Sequence, residues 1–164
     1  MMLELHNVSI GQRVKALSLT VNAGQIVTIT GTEGAGKTTL LRAVLGLIAI
    51  DGGHISVDGE LLTTKSAAYF RRQMAYVPQR LSMPEGYDGM GLERWAVLSA
   101  DERYLLLLNN AVQSGRQLLI VDEPDHRLSA ETAERVDLLL EEAAARGAAV
   151  LAVNSRINKN QIQL

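Results

Sequence analysis

Nine consecutive residues, Gly31-Thr32-Glu33-Gly34-Ala35-Gly36-Lys37-Thr38-Thr39, combine small residues, a cation and hydroxyls at a spacing suited to holding phosphate. Gly31, Gly36, Lys37 and Thr38 occupy the fixed positions of the pattern G-x-x-x-x-G-K-[ST]. The glycines let backbone N–H groups turn inward around an anion, where side chains would block the approach. Lys37 can reach the β- and γ-phosphates of a nucleotide, and the Thr38 hydroxyl can ligate Mg²⁺. Glu33 is an oddity in such a loop. Its N–H can still donate while its carboxylate turns to solvent.

A second set of chemistry-bearing residues lies downstream. Leu118-Leu119-Ile120-Val121 is an apolar run followed at once by Asp122, Glu123 and Pro124. A buried strand ending in Asp-Glu delivers both acids to one sheet edge. Beside a phosphate loop, Asp122 would hold Mg²⁺, directly or through water, and Glu123 would polarise the attacking water as a general base. Taken alone, such a run is as readily a strand meeting a surface turn. The intact phosphate loop upstream favours the chemical reading.

These groups need elements to position them. Gln25 to Thr30 is β-branched and reads as a buried strand ending at the loop. Thr38 to Leu47 has Leu40, Leu41, Val44 and Leu45 at helical spacing, so the phosphates would lie at a helix N-terminus, where free N–H groups and the dipole favour anions. Leu3–Ile10 and Leu17–Val21 alternate like strands, with a turn at Asn22-Ala23-Gly24. His54–Val57 is a short strand closed by Asp58-Gly59, Thr64–Arg72 is helical, and Met74–Val77 is a strand ended by Pro78. Arg80–Gly91 is rich in turn residues. Ser99–Gln113 is helical. The helix Ala130–Arg146 has Ser129 as its N-cap and Gly147 as its stop, and reads as a sheet-covering element. Ala148–Val153 reads as the last buried strand. Tyr69-Phe70 and Trp95 are expected to pack inward or to be half-covered. Strands alternating with helices predict an α/β fold with a mainly parallel core sheet.

Composition narrows the function classes. The 164 residues suffice for one domain with a real core, and we read residues 1–164 as a single ATP-binding domain. The formal net charge of −2 gives no electrostatic footprint for nucleic acid, and none is expected as a partner. The absence of cysteine rules out disulfides and thiolate chemistry. The N-terminus lacks the pattern of a signal peptide, and no apolar run is long enough to span a bilayer. A membrane role would therefore come through a partner.

With these residues in view, nearly the whole chain resembles the nucleotide-binding subunit of ATP-binding cassette (ABC) transporters. The phosphate loop followed by Thr39-Leu40-Leu41-Arg42, then Gly46-Leu47, Gly53-His54-Ile55 and Asp58-Gly59, is similar to that family's first half. Tyr76-Val77-Pro78-Gln79 resembles its glutamine loop. The resemblance implies that Gln79 contacts Mg²⁺ and the attacking water, beside Lys37 and Glu123 as catalytic groups. Leu98-Ser99-Ala100-Asp101-Glu102 sits where the family has Leu-Ser-Gly-Gly-Gln. The fold so implied is a P-loop NTPase, its parallel core flanked by helices, with an N-terminal antiparallel β part and a much reduced helical subdomain.

The departures bear on function. Ser99, Ala100 and Asp101 form a degenerate signature without its glycines, and Asp101 sets a carboxylate where the opposite subunit's phosphate would lie, which disfavours closure. The family's switch histidine falls at Asn154, which can hydrogen-bond a phosphate but cannot carry a proton or charge. Asp125 to Ser129 fits the dimer-organising segment poorly, and His126 reads as an exposed loop residue. No aromatic between Met1 and Thr30 is available to stack on adenine. Arg13 or His6 could cover a base face, though Arg13 reads better as solvated. Gln79–Leu98 is short, and the usual closing strands are missing after Asn154.

The resemblance implies a cytoplasmic ATPase subunit, peripheral on the inner face of the membrane, with ATP and Mg²⁺ as cofactors. A second ABC subunit and an integral membrane permease would be its partners. Its hydrolysis is expected to be slow. The alternative is a regulatory or structural subunit with little or no hydrolysis, paired with a fuller ABC ATPase.

Overall fold

The computed structural model describes residues 1–80, 94–122, 127–153 and 160–164. Alternation in the N-terminal third produces an antiparallel sheet. In β1 (Leu3–Ile10) the residues Leu3, Leu5, Val8 and Ile10 are buried. β1 pairs antiparallel with β2 (Val14–Val21) and β4 (Gly52–Val57), and β5 (Glu60–Leu61) completes the order β2-β1-β4-β5. β2 starts three residues before the expected Leu17. Ala16 has φ +48° and the β1–β2 register shifts on either side of Val8, so the alternation that marks a strand is broken there.

The remaining strands build a five-stranded sheet in the order β6-β7-β8-β3-β9, with every neighbouring pair parallel. They are β3 (Ile26–Thr30), β6 (Met74–Val77), β7 (Leu118–Val121), β8 (Ala149–Val153) and β9 (Gln161–Gln163). β7 and β8 are buried at every residue because both faces of the sheet are covered. Successive residues serve opposite faces. Leu118 and Ile120 join α1 (Lys37–Val44) and the antiparallel sheet in one core, while Leu119 and Val121 pack with α3 (Ala100–Gln113) and α4 (Ala130–Ala145) in another.

β9 corrects the expectation that closing strands are missing after Asn154. It pairs with β3, Ile29 opposite Ile162, and Leu164 N donates to Thr30 O at 2.9 Å. Its Gln-Ile-Gln sequence has too little apolar content to read as a strand; an edge position with one packed residue, Ile162, suffices to hold it.

The other helices match the expectations with trimmed ends. α1 runs from Lys37 to Val44 and α2 spans only Ala67–Arg71, because residues 63–66 are tied in a turn by the Thr63 and Ser66 hydroxyls. Gly46 lets these two helices meet. Its φ is +65°, and a Cβ there would come within 2.3 Å of Ala67 Cβ. Trp95 is buried as expected, with the Arg103 guanidinium 5.5 Å from its ring centre. Phe70 is buried too, whereas Tyr69 is 59 % exposed, at the half-covered end of what was expected of the pair. At i and i+1 on a helix two side chains point to different faces, so only one of them can enter the core.

Candidate functional site

The site forms where β3 meets α1. Buried apolar residues hold both elements, Ile29 in the sheet and Leu40, Leu41 and Val44 under the helix, so the intervening loop is fixed at each end. Gly34 and Gly36 adopt φ +79° and +103°, and Gly36 is the N-cap of α1. A Cβ on Gly36 would lie 3.0 Å from Arg13 Cβ and 3.2 Å from Val14 Cγ2, so the loop rests against the β1–β2 turn. Ala35 N donates to Thr32 O at 3.1 Å, closing the loop on itself. The first N–H groups of α1 have no intrahelical acceptor and point out of its N-terminus, an arrangement that suits an anion. Lys37 Nζ donates to the carbonyls of Gly31 at 2.7 Å and Thr32 at 2.9 Å, which places the ammonium across the loop. Glu33 is exposed.

The acidic half is brought to the same place. β7 delivers Asp122 one residue past the strand, where it is only 2 % exposed. Its N–H continues the ladder to Val77 O at 2.9 Å. The Thr38 hydroxyl, in the first turn of α1, donates to Asp122 Oδ2 at 3.1 Å. Eighty-four positions of sequence thus close to one hydrogen bond. Two hard oxygen donors at this separation suit Mg²⁺, since adjacent ligands of an octahedral ion with bonds of about 2.1 Å lie about 3.0 Å apart. Among the described residues no group of three or more His, Asp or Glu could hold a metal, so any ion here would complete its shell with phosphate oxygens and water. The Tyr76 hydroxyl titrates above its ordinary value. Burial is the main cause, the Asp122 carboxylate adds to it, and Arg42 opposes it.

Gln79 is exposed, two residues beyond β6, the strand that pairs with β7. It therefore leaves the same sheet edge as Asp122. Glu123, His126 and Asn154, and the turn-rich stretch 81–91, lie outside the described residues.

The Ser99 segment is a helix start. Ser99 Oγ accepts from Glu102 N at 3.2 Å, and Glu102 Oε2 accepts from Ser99 N at 2.7 Å, a reciprocal capping box. That hydrogen bonding lowers the titration of Glu102 below its ordinary range. Asp101 Oδ2 accepts from Ser129 N at 3.0 Å, so its carboxylate turns to the start of α4. Ser129 is the N-cap expected there, accepting from Thr132 N.

Sequence reasoning missed one residue at the site. Tyr104, on the buried stripe of α3 with Leu108 and Val112, is 1 % exposed and donates its hydroxyl to the Asp122 carbonyl at 3.0 Å. The signal was present: a tyrosine in an apolar stripe must find a partner for its hydroxyl.

A glycine-rich loop between a parallel strand and a helix, with an acid from a neighbouring strand on the helix's first hydroxyl, defines a P-loop NTPase fold. Residues 14–89 match the family described as ABC transporter. The chain is 32 % identical over 169 residues to the aliphatic sulfonates import ATP-binding protein SsuB 2 of Agrobacterium fabrum, covering 89 % of this chain and 65 % of that protein. It is 33 % identical over 157 residues to the zinc import ATP-binding protein ZnuC of Paramagnetospirillum magneticum, covering 84 % and 60 %. The chain thus spans less than two thirds of the length of these relatives. A solved structure described as the ATP binding subunit of an ABC transporter superposes with a TM-score of 0.78 at 23 % identity, over 96 % of this chain and 80 % of that one. These likenesses are to the ABC family and, within it, to ATP-binding subunits.

Proposed function

We propose that the chain binds Mg-ATP at Gly31–Thr39 and serves as the ATP-binding subunit of an ABC transporter, coupling binding and slow hydrolysis to an integral membrane permease. The observation that carries this reading is the Thr38–Asp122 contact at the mouth of the phosphate loop. In it, the amides of Thr32 to Thr39 and the Lys37 ammonium hold the phosphates, and Thr38, Asp122 and Gln79 surround the Mg²⁺. Glu123 polarises the water and Gln79 orients it. When bound, Mg²⁺ neutralises charge on the β- and γ-phosphates. The import relatives support a permease partner and a place on the cytoplasmic face of the membrane. Among the described residues no helix is long and apolar enough to cross a membrane. The exposed side chain of Leu61 on the wall of an apolar cleft of about 360 Å³, and that of Leu47 next in sequence to the wall, give a partner something to bury.

The second reading, a regulatory subunit with little hydrolysis, is favoured by the start of α3. There the Asp101 carboxylate is turned to Ser129 N within the chain and sets a negative charge two residues from Ser99, which disfavours a phosphate of the opposite subunit. Binding and turnover of Mg-ATP, with Lys37→Ala as control, test the proposal. Binding that is lost in the variant supports it; wild-type protein that binds no ATP rejects it. Glu123→Gln then separates the two readings, abolishing transport in the first and changing little in the second.

A further inference from the structure

Asp122 lies beyond the end of β7, where the regular ladder no longer fixes the backbone on both sides. Two contacts do so instead. Its N–H is held by Val77 O at 2.9 Å and its carbonyl by the Tyr104 hydroxyl at 3.0 Å. Both side chains are almost wholly removed from water. The tyrosine comes from α3, packed through Leu108 and Val112 against the face of the sheet opposite α1. Asp122 is therefore gripped from both faces: Thr38 of α1 holds its carboxylate and Tyr104 of α3 holds its main chain.

We propose that Tyr104 is a positioning residue for the metal site, setting through the Asp122 carbonyl the place from which the carboxylate meets Mg²⁺. Mg²⁺ demands near-ideal octahedral geometry, and a site must be held to within about 0.5 Å to be productive. With the carbonyl released, the main chain at Asp122 keeps the Val77 contact but loses the hold from α3, and the carboxylate leans more on Thr38, itself a ligand in the reading above. The hydroxyl also ties the seating of α3, and with it the capped start at Ser99 and the Asp101–Ser129 link, to the ion's acid.

The inference rests on the proposed Mg-ATP site, and its test is a binding measurement that needs no turnover. ATP affinity is titrated against Mg²⁺ concentration for wild type, for Tyr104→Phe and for Leu108→Val, with thermal melts of each. Tyr104→Phe should raise the Mg²⁺ concentration at half-effect by about 10-fold, the size of effect typical when an outer-shell partner is removed. Its affinity for ATP without Mg²⁺ should stay within about 2-fold of wild type, because the phosphate loop is untouched. Leu108→Val loosens α3 without removing a hydrogen bond. It should lower the melting temperature while leaving the Mg²⁺ midpoint in place. An unchanged midpoint in Tyr104→Phe overturns the proposal. So does an equal loss with and without Mg²⁺, or an equal midpoint shift in Leu108→Val, since each would make Tyr104 a packing residue only. Should Tyr104→Phe fail to fold, Tyr104→Leu, which also removes the hydroxyl, is titrated in its place. An unshifted midpoint there overturns the proposal, and a shift with metal-free affinity intact supports it. Wild-type protein that binds no ATP, or binds it without regard to Mg²⁺, would instead reject the site itself.

Discussion

At the scale of the residue, the site is read from types that have few substitutes. Gly36 is one. At φ +103°, with Arg13 Cβ and Val14 Cγ2 about to touch any added carbon, alanine there carries both backbone strain and a clash. We expect Gly36→Ala to cost about 1–3 kcal/mol from the backbone term alone. It should also weaken ATP binding by reshaping the loop. Urea unfolding and ATP titration of the same variant check both, and a variant of unaltered affinity would separate the loop's geometry from its binding. The phosphate loop, Asp122 and their meeting were legible because the motif fixes four identities and the apolar run before Asp122 fixes a strand end. Tyr104 was not, since a tyrosine at helical spacing looks like packing until the strand end beneath its hydroxyl is known. Arg13 stays exposed, as the solvated reading has it, yet its Cβ abuts the loop. Turn contacts of that kind depend on how two sheets stack, which no local pattern encodes.

At the scale of the element, α3 is the most informative. Its start reads as a degenerate signature from the resemblance, and the structure shows it to be a capped helix start as well, with a reciprocal Ser99–Glu102 box and Asp101 on Ser129 N. Ser99→Ala removes the cap and should cost about 1 kcal/mol, read by chemical denaturation. The capping box also carries a pH signature. The titration of Glu102 is lowered in the folded chain by the Ser99 N–H and hydroxyl. Its contribution is therefore present above the unfolded value near 4.5 and is lost as pH falls through the lower folded value. Stability measured from pH 6 down to pH 3 should fall less steeply in Glu102→Gln than in wild type; equal slopes would remove the box from the account. The elements that escaped the sequence did so for a shared reason. β9 and the first residues of β2 are held by partners, β3 and β1, and not by their own alternation. Helix ends moved where hydroxyls, as at Thr63 and Ser66, offered the backbone a turn in place of another helical residue.

At the scale of the whole molecule, the two cores divide the labour. One seats α1 against both sheets and so fixes the phosphate loop; the other seats α3 and α4 against the opposite face and so fixes the Asp122 end of β7. Binding needs the first core and its loop. In the proposed reading, turnover would also need what a second subunit supplies to the phosphate, and at the start of α3 the Asp101 carboxylate is hydrogen-bonded within its own chain. Phosphoryl transfer relies on positioning and charge neutralisation, and the Asp101 carboxylate at that segment works against the second. We therefore expect tight Mg-ATP binding together with turnover below about 1 s⁻¹ for the chain alone, the low end for phosphotransfer enzymes. Replacing Ala100 and Asp101 together by glycine removes the carboxylate and the Ser129 link. This should raise the turnover of a self-associating chain while costing about 1 kcal/mol or more in stability, since glycine is poor in a helix. Steady-state phosphate release measured across protein concentration decides it. A rise in rate per subunit with concentration in the double variant, and little in wild type, places the block at the start of α3. Rates that stay equal place it at the positions of Glu123 or Asn154, and fast wild-type turnover would reject slow hydrolysis altogether.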